Sequence, residues 1–357
     1  MRPIFRIAIV AIILIPLLIV GYVFREHIFK YAEKKNEPLA PSVDLRAISQ
    51  KKVLGFFVDR TLSDAPNLYY LSYDGIHRIV WGGKVDSLIA PFPARVETQN
   101  VMPSSGGMII KTRSDLLLFT PYTKGIAKFP ETVTAASPNP DGSRVAMLIR
   151  NETSSRLVVG TVDDTSSTTI FSFSQSGLTL AWPSAQTLYL TELPYSLAES
   201  RVYVVDIASS TIQNSIPAGT GLMVSFEESG PRALIFRGST GIGSLVLSDI
   251  TSTATPIALP TTLPSKCAWG ASALYCGVPQ TFTAIFGRSF LDEYLMRGFY
   301  SVDTLYRIDL KTHEAAPVSF PAPLPPLDIS HPVFLENQNL LLFVNRYDQK
   351  LYSLALP

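Results

Sequence analysis

The sequence has few of the residues on which catalytic and metal sites are usually built. Its 357 residues include two cysteines and four histidines. The histidines, His27, His77, His313 and His331, are isolated from one another, and the cysteines lack the C-x-x-C spacing of redox and zinc sites. The G-x-S-x-G, H-E-x-x-H and EF-hand motifs are also absent. The sequence therefore predicts no catalytic residue, no bound metal and no cofactor.

Neither sign of charge is in excess. Lys and Arg together number 30 and Asp and Glu 29, which gives a formal net charge of +1. Binding to nucleic acid needs a concentrated basic face that compensates the phosphate charge. This composition argues against nucleic acid as a partner.

One long apolar run without charge lies near the start of the chain. It extends from Ile7 to Phe24 and would span about 27 Å as a helix, close to the thickness of a bilayer core. A cleaved signal peptide is the alternative, but no small-x-small cleavage site follows the run. We predict a transmembrane signal-anchor over residues 1–24 that binds the lipid bilayer, and a juxtamembrane helix and linker over 25–49.

The flanks of this run bear on the location of the rest of the chain. A very short N-terminal tail with Arg2 and Arg6 is typical of a signal-anchor, which exports the domain that follows it. Paired cysteines are also commoner in exported domains. We therefore predict a single-pass protein of the cell membrane with an extracytoplasmic C-terminal domain over residues 50–357.

A short apolar strand that ends in an acidic turn recurs along this domain. Copies end at Asp163, Asp206 and Asp249, about 43 residues apart, and further copies end at Asp74 and Asp309. This period, with Gly-, Pro- and Ser-rich turns between the strands, predicts an all-β fold, a β-propeller of four-stranded blades. We count about seven blades, with six as the alternative.

The order of strands in one repeat is clear, and it suggests how the ring closes. Residues 133–174 contain four strands, and the same order returns at 178–217, 222–260 and 266–320. We expect the propeller to begin near a second strand, Val53–Val58, and to end after a third. Because an unpaired edge would invite aggregation, we expect the segment Ser42–Ile48 to supply the missing strand of the last blade.

The turn from Ser137 to Ala146 resembles the S-P-D-G-x-x-I-A element of TolB-type, WD-repeat-like propellers, with an extra Asn-Pro inserted before Asp141. Weaker versions lie at Ala181–Ser184 and Ala268–Ala271. The resemblance covers roughly residues 50–357 and extends to membrane-anchored bacterial proteins of uncharacterised function. It implies the propeller fold and little about function, since propellers host both binding and catalysis.

Three further features carry local predictions. The recurring aspartates precede Ser- and Thr-rich segments, which favours turn-capping over a ring of catalytic carboxylates. Propeller closure would bring His77 nearer to His331, but a metal site there lacks a third ligand. Cys267 and Cys276 flank the turn between two strands of a blade, where a structural disulfide is expected, with buried free thiols or redox chemistry as alternatives.

The sixth blade contains an insertion between Val278 and Thr304. Phe282, Phe286, Phe290 and Tyr294 recur every fourth residue in it, as on one face of a short helix. The insertion is either a cap whose aromatic residues pack on the blades or a partner-binding lid. As candidate contacts for a partner we name Phe282, Tyr294, Arg297 and Tyr300.

These features together predict a membrane-anchored recognition module for a protein or a cell-envelope component. An enzyme of the propeller type, a glycan lyase or hydrolase with its site at the central channel, is the alternative from another class. A structural subunit of an envelope complex is the third. Acidic or histidine side chains that converge on the channel would favour the enzyme.

Overall fold

The computed structural model describes residues 43–357 apart from 61–65, 81–85, 93–97, 105, 122–124, 162–166, 229, 239–242, 250–254 and 281–288. The predicted anchor and the linker up to residue 42 lie outside the described residues. Within the described part of the chain, no helix is long and apolar enough to cross a membrane. Contacts between residues group 44–320 and 324–357 into one compact unit, which is the propeller.

The propeller has seven sheets of four antiparallel strands, which confirms the prediction of seven blades. We call the strands of each blade A to D from the first to the last in its sheet, with A innermost. Blade 1 comprises β2 (Gly55–Asp59), β3 (Asn67–Ser72), β4 (Gly75–Val80) and β5 (Asp86–Pro91). Blade 2 comprises β6 (Thr98–Ser104), β7 (Gly107–Thr112), β8 (Leu116–Phe119) and β9 (Ile126–Lys128). Blade 3 comprises β10 (Val133–Pro138), β11 (Arg144–Arg150), β12 (Ser155–Thr161) and β13 (Ser167–Phe173).

The remaining blades follow the same order except for the last strand of the ring. Blade 4 comprises β14 (Leu178–Ala181), β15 (Thr187–Glu192), β16 (Glu199–Asp206) and β17 (Thr211–Thr220). Blade 5 comprises β18 (Met223–Phe226), β19 (Arg232–Arg237), β20 (Ser244–Asp249) and β21 (Thr255–Pro256). Blade 6 comprises β22 (Cys267–Trp269), β23 (Ala273–Pro279), β24 (Asp303–Asp309) and β25 (Ala315–Pro317). Blade 7 comprises β26 (Ile329–Leu335), β27 (Leu340–Asn345), β28 (Lys350–Ala355) and, as its D strand, β1 (Leu45–Ala47).

Burial across a blade explains its sequence pattern. The second strands are apolar almost throughout, and in β19 the four residues Ala233–Phe236 are all buried. These strands pack against neighbouring blades on both faces, so they do not alternate apolar and polar residues. The outermost strands face solvent, and in β13 the side chains are exposed or half-buried along its whole length. A period of two is therefore weak in this sequence, and the blade repeat is the clearer signal.

The ring closes through the predicted N-terminal strand. β1 pairs antiparallel with β28, with Leu45 opposite Leu354 and Ala47 opposite Tyr352. Beyond the strand, the Ile48 amide donates to the Leu351 carbonyl at 2.8 Å. The expectation that Ser42–Ile48 supplies the fourth strand of the last blade is confirmed.

A polar cluster fixes the connection that follows the closing strand to blade 1. The Tyr70 hydroxyl donates to Asp86 at 2.5 Å, and the His77 ring nitrogens lie 3.0 Å from Asp86 and 3.0 Å from Asp74. Lys51, in the connection itself, forms an ion pair with Asp74. Burial would raise the pKa of Asp74, but the hydrogen bonds to Lys51 and His77 outweigh it and lower the pKa to about 2. The charged form of Asp74 thus holds the connection at neutral pH.

Two sequence assignments in blade 1 were wrong by one strand. Val53–Val58 was taken as a second strand, but β2 is the innermost strand of blade 1. The copy of the recurring pattern that ends at Asp74 is likewise β3, a B strand, whereas the copies that end at Asp206 and Asp309 are C strands. β2 and β3 are both buried along most of their length, as C strands such as β12 are, so burial and composition do not show which strand of a blade each of them is.

The cysteines form the disulfide expected of them. Cys267 in β22 lies directly opposite Cys276 in β23, with 4.1 Å between the two Cα atoms, and the sulfur atoms are bonded. The bridge therefore joins the two inner strands of blade 6 beside the channel.

We predict that the Cys267→Ala, Cys276→Ala double variant has a free energy of unfolding lower by about 2–3 kcal/mol, because the bridge restricts the unfolded chain. Chemical denaturation with and without reductant measures it. Reduced wild-type protein should match the variant. Free alkylation of both thiols in unreduced wild-type protein would contradict the bridge.

We also predict that Ile48→Pro weakens the closure of the ring. The substitution removes the amide that donates to Leu351, and a lost buried hydrogen bond costs about 1–3 kcal/mol of unfolding free energy. Urea denaturation measures the loss. Arg46→Ala in β1, two residues before Ile48, is the control and should change little, since the Arg46 side chain is 73% exposed. Equal stability of Ile48→Pro and wild type would mean that the closing strand contributes nothing.

Candidate functional site

The two faces of the ring carry different connections. Strands A and C run in one direction and B and D in the other, so B–C and D–A connections emerge on one face, which we call the BC face. The A–B and C–D connections emerge on the opposite, AB face. The chain joins the propeller on the AB face, because Asp44 at the start of β1 accepts a hydrogen bond from Ala355 at the end of β28.

The BC face receives the insertion of blade 6, as the sequence suggested. It also receives the B–C connections of blades 4 and 5, which include Leu193–Ser200 and Arg237–Gly243. Asp59–Asn67, which was expected on this face, is instead the A–B connection of blade 1 and lies on the AB face. The displacement follows directly from the shifted strand order of blade 1.

The described part of the insertion contains one short helix, α1 (Phe290–Leu295). It begins where the Ser289 hydroxyl accepts a hydrogen bond from the Asp292 amide at 3.0 Å, as at a typical N-cap. It ends where Arg297 takes a positive φ of 57°. The helix packs as a cap, because Phe290 and Leu291 are buried in the same cluster as core residues of blades 5 and 6.

The candidate partner contacts of the insertion fall into different environments. Phe282 lies outside the described residues, as does Phe286. Tyr294 is only 6% exposed and packs on Phe290 and Phe299, so it supports the insertion from below rather than facing a partner. Arg297 and Tyr300 are exposed on the BC face. Of the four residues at the spacing of four, Phe290 and Tyr294 are described and both are buried, and the sequence gave no means of separating supporting residues from exposed ones.

A buried ionic network holds this part of the BC face, and the sequence did not reveal it. Lys266, in a 3₁₀ turn over Pro264–Lys266, is fully buried. Its ammonium group donates to Asp303 at 2.6 Å, to Asp328 at 2.8 Å and to the Ile329 carbonyl at 2.9 Å. The Ser301 hydroxyl donates to Asp303 at 2.7 Å. The network joins the starts of strands in blades 6 and 7.

The directions in which the pKa values of the network shift agree with this geometry. Burial alone would lower the pKa of Lys266, but the surrounding negative charges, including Asp303 and Asp328, raise it. Burial raises the pKa of Asp303 even though Lys266 lies beside it. Lys266 is therefore charged and compensated, and its removal would leave the buried Asp303 without a cation and Asp328 with Arg346 alone.

Arg346 links the network to the exposed surface. Its guanidinium group donates to Asp328 at 3.1 Å and lies 4.1 Å from the centre of the Tyr294 ring. It also lies 5.3 Å from the ring of Tyr300, which in turn stacks on Tyr347 with 5.6 Å between ring centres. The exposed aromatic pair is thus held in place from the core.

Large apolar side chains are exposed around this pair. We call them the BC patch: Leu193, Tyr195, Leu197, Leu295, Met296, Tyr300, Val302 and Tyr347. Leu197 is 73% exposed and Met296 63%. The connections of blades 4 and 6 meet, since Ser196 donates a hydrogen bond to Asp292. Exposed apolar patches of this kind mark interaction surfaces.

The central channel is the second candidate site. A cavity of 670 Å³ is lined by residues of the innermost strands of blades 1, 5, 6 and 7, among them Phe56, Phe226, Trp269 and Phe334. A second cavity of 330 Å³ borders the innermost strands of blades 2 to 5. Arg60, Glu228 and Asn337, from A–B connections, also line the larger cavity, which therefore extends to the AB face.

Three glutamates, Glu227, Glu228 and Glu336, and one histidine line this cavity and bear on the enzyme alternative. Glu228 pairs with Arg60 at 2.9 Å, and Glu227 accepts from the Arg232 Nε at 2.8 Å, so both carboxylates have cationic partners. The exposed ring of His331 also lines the cavity. The surrounding walls desolvate this ring and lower its pKa, and the charges of Arg346, Arg297 and Lys266 lower it further.

The other predicted motifs have structural roles or stay apart. The Asp206 carboxylate accepts from the Ser209 amide at 2.6 Å, and the Asp309 carboxylate accepts from the Lys311 amide at 2.9 Å, which confirms the turn-capping role for these two. Asp163 lies outside the described residues. His77 bonds Asp74 and Asp86 and is not paired with His331. Among the described residues, no group of three or more His, Cys, Asp or Glu is placed to hold a metal ion.

Comparisons with known proteins support the fold. No protein family matches the sequence, and no curated protein matches it. Among solved structures, an oligogalacturonate lyase in complex with manganese is 12% identical, covers 90% of this chain and 95% of its own, and superposes with a TM-score of 0.57. The Cps50 (Swd1) β-propeller domain of Myceliophteria thermophila is 10% identical, covers 88% and 100%, and superposes with a TM-score of 0.58.

The C-terminal WD40 domain of Sif2 is similar as well, with 12% identity, coverage of 88% and 98%, and a TM-score of 0.51. These proteins are a lyase, a β-propeller domain and a WD40 domain. At such low identity the likeness shows the fold alone. The chain is thus a seven-bladed, WD-repeat-like β-propeller, and its activity must be argued from its own surfaces.

We predict that Lys266→Met destabilises the protein by about 3–5 kcal/mol, because it leaves Asp303 buried without a cation and removes one of the two cations that pair with Asp328. Thermal and chemical denaturation measure the change. Adding Asp303→Asn and Asp328→Asn should restore much of the loss. Lys128→Met, which removes an exposed ion pair with Asp115, is the control and should change little. Equal effects at the two lysines would contradict the role of the buried network.

Proposed function

We propose that the protein is a recognition module whose BC patch binds another protein. The observation that carries this proposal is the exposure of large apolar side chains on one face of a rigid ring. Single exposed apolar residues are ordinary, but a group of them supported by a buried network is typical of an interface. Aromatic and arginine side chains also dominate binding energies at interfaces.

The charges around the patch indicate the chemistry of the partner. The exposed Arg297 forms no ion pair with any described residue, whereas Arg346 is already compensated by Asp328. A partner surface that combines apolar side chains with a carboxylate would bury the patch and pair Arg297. Charge complementarity of this kind favours correct docking. We therefore propose a partner segment that is apolar and acidic.

The setting of the module is also a proposal. The uncharged run Ile7–Phe24 and the arginines before it support a membrane-anchored protein with an extracytoplasmic propeller. The disulfide between Cys267 and Cys276 fits an oxidising compartment. The S-P-N-P-D-G turn supports a TolB-type assignment within the propellers.

An enzyme that acts in the channel is the second candidate function. The observation that favours it is His331, whose lowered pKa keeps the imidazole neutral at pH 7 and suited to accept a proton. The two channel glutamates that pair with arginines are less suited to that role. Turnover of a glycan substrate that disappears in His331→Gln would favour the enzyme over the recognition module.

We predict that the triple variant Leu197→Ser, Met296→Ser, Tyr300→Ser loses a protein complex that the wild type forms in cells. Truncating residues at the centre of an interface often costs about 2 kcal/mol each, so the yield of complex should fall by tenfold or more, roughly. Chemical cross-linking of the full-length protein in intact cells, followed by identification of the cross-linked partner, measures it.

The matched control replaces apolar side chains exposed elsewhere, with Val80→Ser, Leu88→Ser and Ile212→Ser on strands β4, β5 and β17. The control should keep the complex, and all variants should melt like the wild type. Point substitutions are preferable to removing the insertion, which would also remove the buried Phe290 and Leu291. An equal yield of the complex in both triple variants would exclude the BC patch as its interface.

A further inference from the structure

The backbone at His331 departs from the regular strand. Between Ser330 and Val333 the register of β26 against β27 shifts, so His331 and Pro332 form a bulge in the innermost strand of blade 7. His331 itself has a positive φ of 49°, which a residue with a side chain seldom adopts. Bulges of this kind commonly redirect a side chain beside a functional site. Here the redirected side chain is the imidazole that lines the channel cavity.

One nitrogen atom of the His331 ring has a hydrogen-bond partner, and the other has none among the described residues. Its Nδ1 atom lies 2.8 Å from the Ser330 hydroxyl. Its Nε2 atom has no hydrogen-bond partner among the described residues. A histidine whose one nitrogen is fixed and whose other nitrogen faces a cavity is arranged to bind something in that cavity.

A second unused polar group lies on the same wall. Among the described residues the buried Ser265 hydroxyl has no hydrogen-bond partner, and Ser265 lines both channel cavities. It belongs to the 3₁₀ turn that packs against β26, the strand of His331. A buried hydroxyl without a partner is unfavourable, and a ligand that accepts a hydrogen bond from it would remove that cost.

The charged groups around His331 favour a negative ligand. Arg346, Arg297 and Lys266 are close enough to act on it, and Asp303 and Asp328 compensate Lys266 and Arg346. Arg297 is left without an ion pair among the described residues. On the side of blade 1, the apolar residues Phe56–Val58 of β2 line the cavity. Asp59 and Arg60 follow at the AB end, where Arg60 also lines it.

We propose that the channel binds an oxyanion, either a carboxylate or a phosphate group, beside His331. His331 Nε2 and the Ser265 hydroxyl would donate hydrogen bonds to this group, and Arg297 would compensate its charge. The aromatic wall that includes Trp269 and Phe226 would contact the body of a larger ligand that carries this group. The donors His331 and Ser265 line the channel cavity, and only Arg297 is common to this site and the proposed protein interface, so anion binding is tested without the protein partner.

The proposal fixes a direction of pH dependence. His331 is neutral at pH 7, and an anion interacts more favourably with the charged imidazolium than with the neutral ring. A bound oxyanion must therefore raise the pKa of His331, and binding must strengthen as the pH falls towards that pKa. Proton uptake accompanies binding in the same pH range.

The test is an NMR titration of full-length protein labelled with ¹³C in the histidine rings, with sodium acetate and inorganic phosphate as separate probes. Chloride at matched ionic strength is the reference. The resonance of His331, assigned through His331→Asn, should move along a saturating curve and its pKa should rise. Saturation with acetate only indicates a carboxylate site, and saturation with phosphate only indicates a phosphate site. Shifts that merely follow ionic strength with both probes would overturn the proposal.

Variants separate a built site from general attraction of anions. His331→Asn should abolish saturable binding measured by calorimetry. His313→Asn is the matched control, because His313 also has a positive φ, of 61°, but lies in a turn of blade 6. Arg297→Gln should weaken binding about tenfold. Since Arg297 is exposed, this variant keeps the test usable if His331→Asn does not fold. Unchanged binding in Arg297→Gln and in folded His331→Asn would refute the site.

Discussion

Closure of the ring by β1 on β28 is the constraint on which the rest of the structure depends. The Leu351 amide donates to the Ser49 hydroxyl at 3.0 Å across 302 residues of sequence. Joining such distant segments costs chain entropy, and the closed ring repays it because every blade then packs on two neighbours. At the junction, Phe56 and Tyr70 of blade 1 pack with Leu342 of blade 7 in one buried cluster. Without the closing strand, β28 would be an unpaired edge.

The closed ring holds the connections of the BC face in place, and the Lys266 network fixes the geometry of those of blades 6 and 7. A buried ion pair is rarely a large gain in stability over apolar packing, so its value here lies in the geometry that it imposes. Lys266 and Asp328 bring blades 6 and 7 together, and Arg346 extends the contact to Tyr294 and Tyr300. The same side chains therefore stabilise the core and position the exposed aromatic pair.

The channel and the BC face are chemically different surfaces. The BC patch is broad and apolar, as a protein interface requires. The channel is narrow and lined by aromatic residues, and it has polar groups near His331 and ion pairs such as Arg60–Glu228 towards the AB face. Small ligands usually bind in concave sites with a few fixed polar groups. One rigid scaffold thus presents two different surfaces, an exposed apolar patch and a concave cavity, and the two proposals rest on this difference.

The sequence alone determined the repeat, the four-stranded blade, the closing segment and the disulfide. Each depends on local composition or on spacing along the chain, as with the turn at Asp141 and the strand at Ser42–Ile48. It misplaced the strands of blade 1, because second and third strands are buried alike. That error also moved Asp59–Asn67 to the wrong face. Among the aromatic residues of the insertion, spacing could not distinguish Tyr294, which is buried, from Tyr300, which is exposed.

Only the tertiary structure decided where chemistry gathers. Lys266, Asp303 and Asp328 are far apart in sequence and meet because two blades place the starts of their strands side by side. His331 looked like an isolated histidine, and the bulge in β26 directs it into the channel beside Ser265. Local patterns specify strands and turns through propensity and burial. The sites arise from contacts between residues of different blades, and a local sequence pattern does not show which residues of neighbouring blades come into contact.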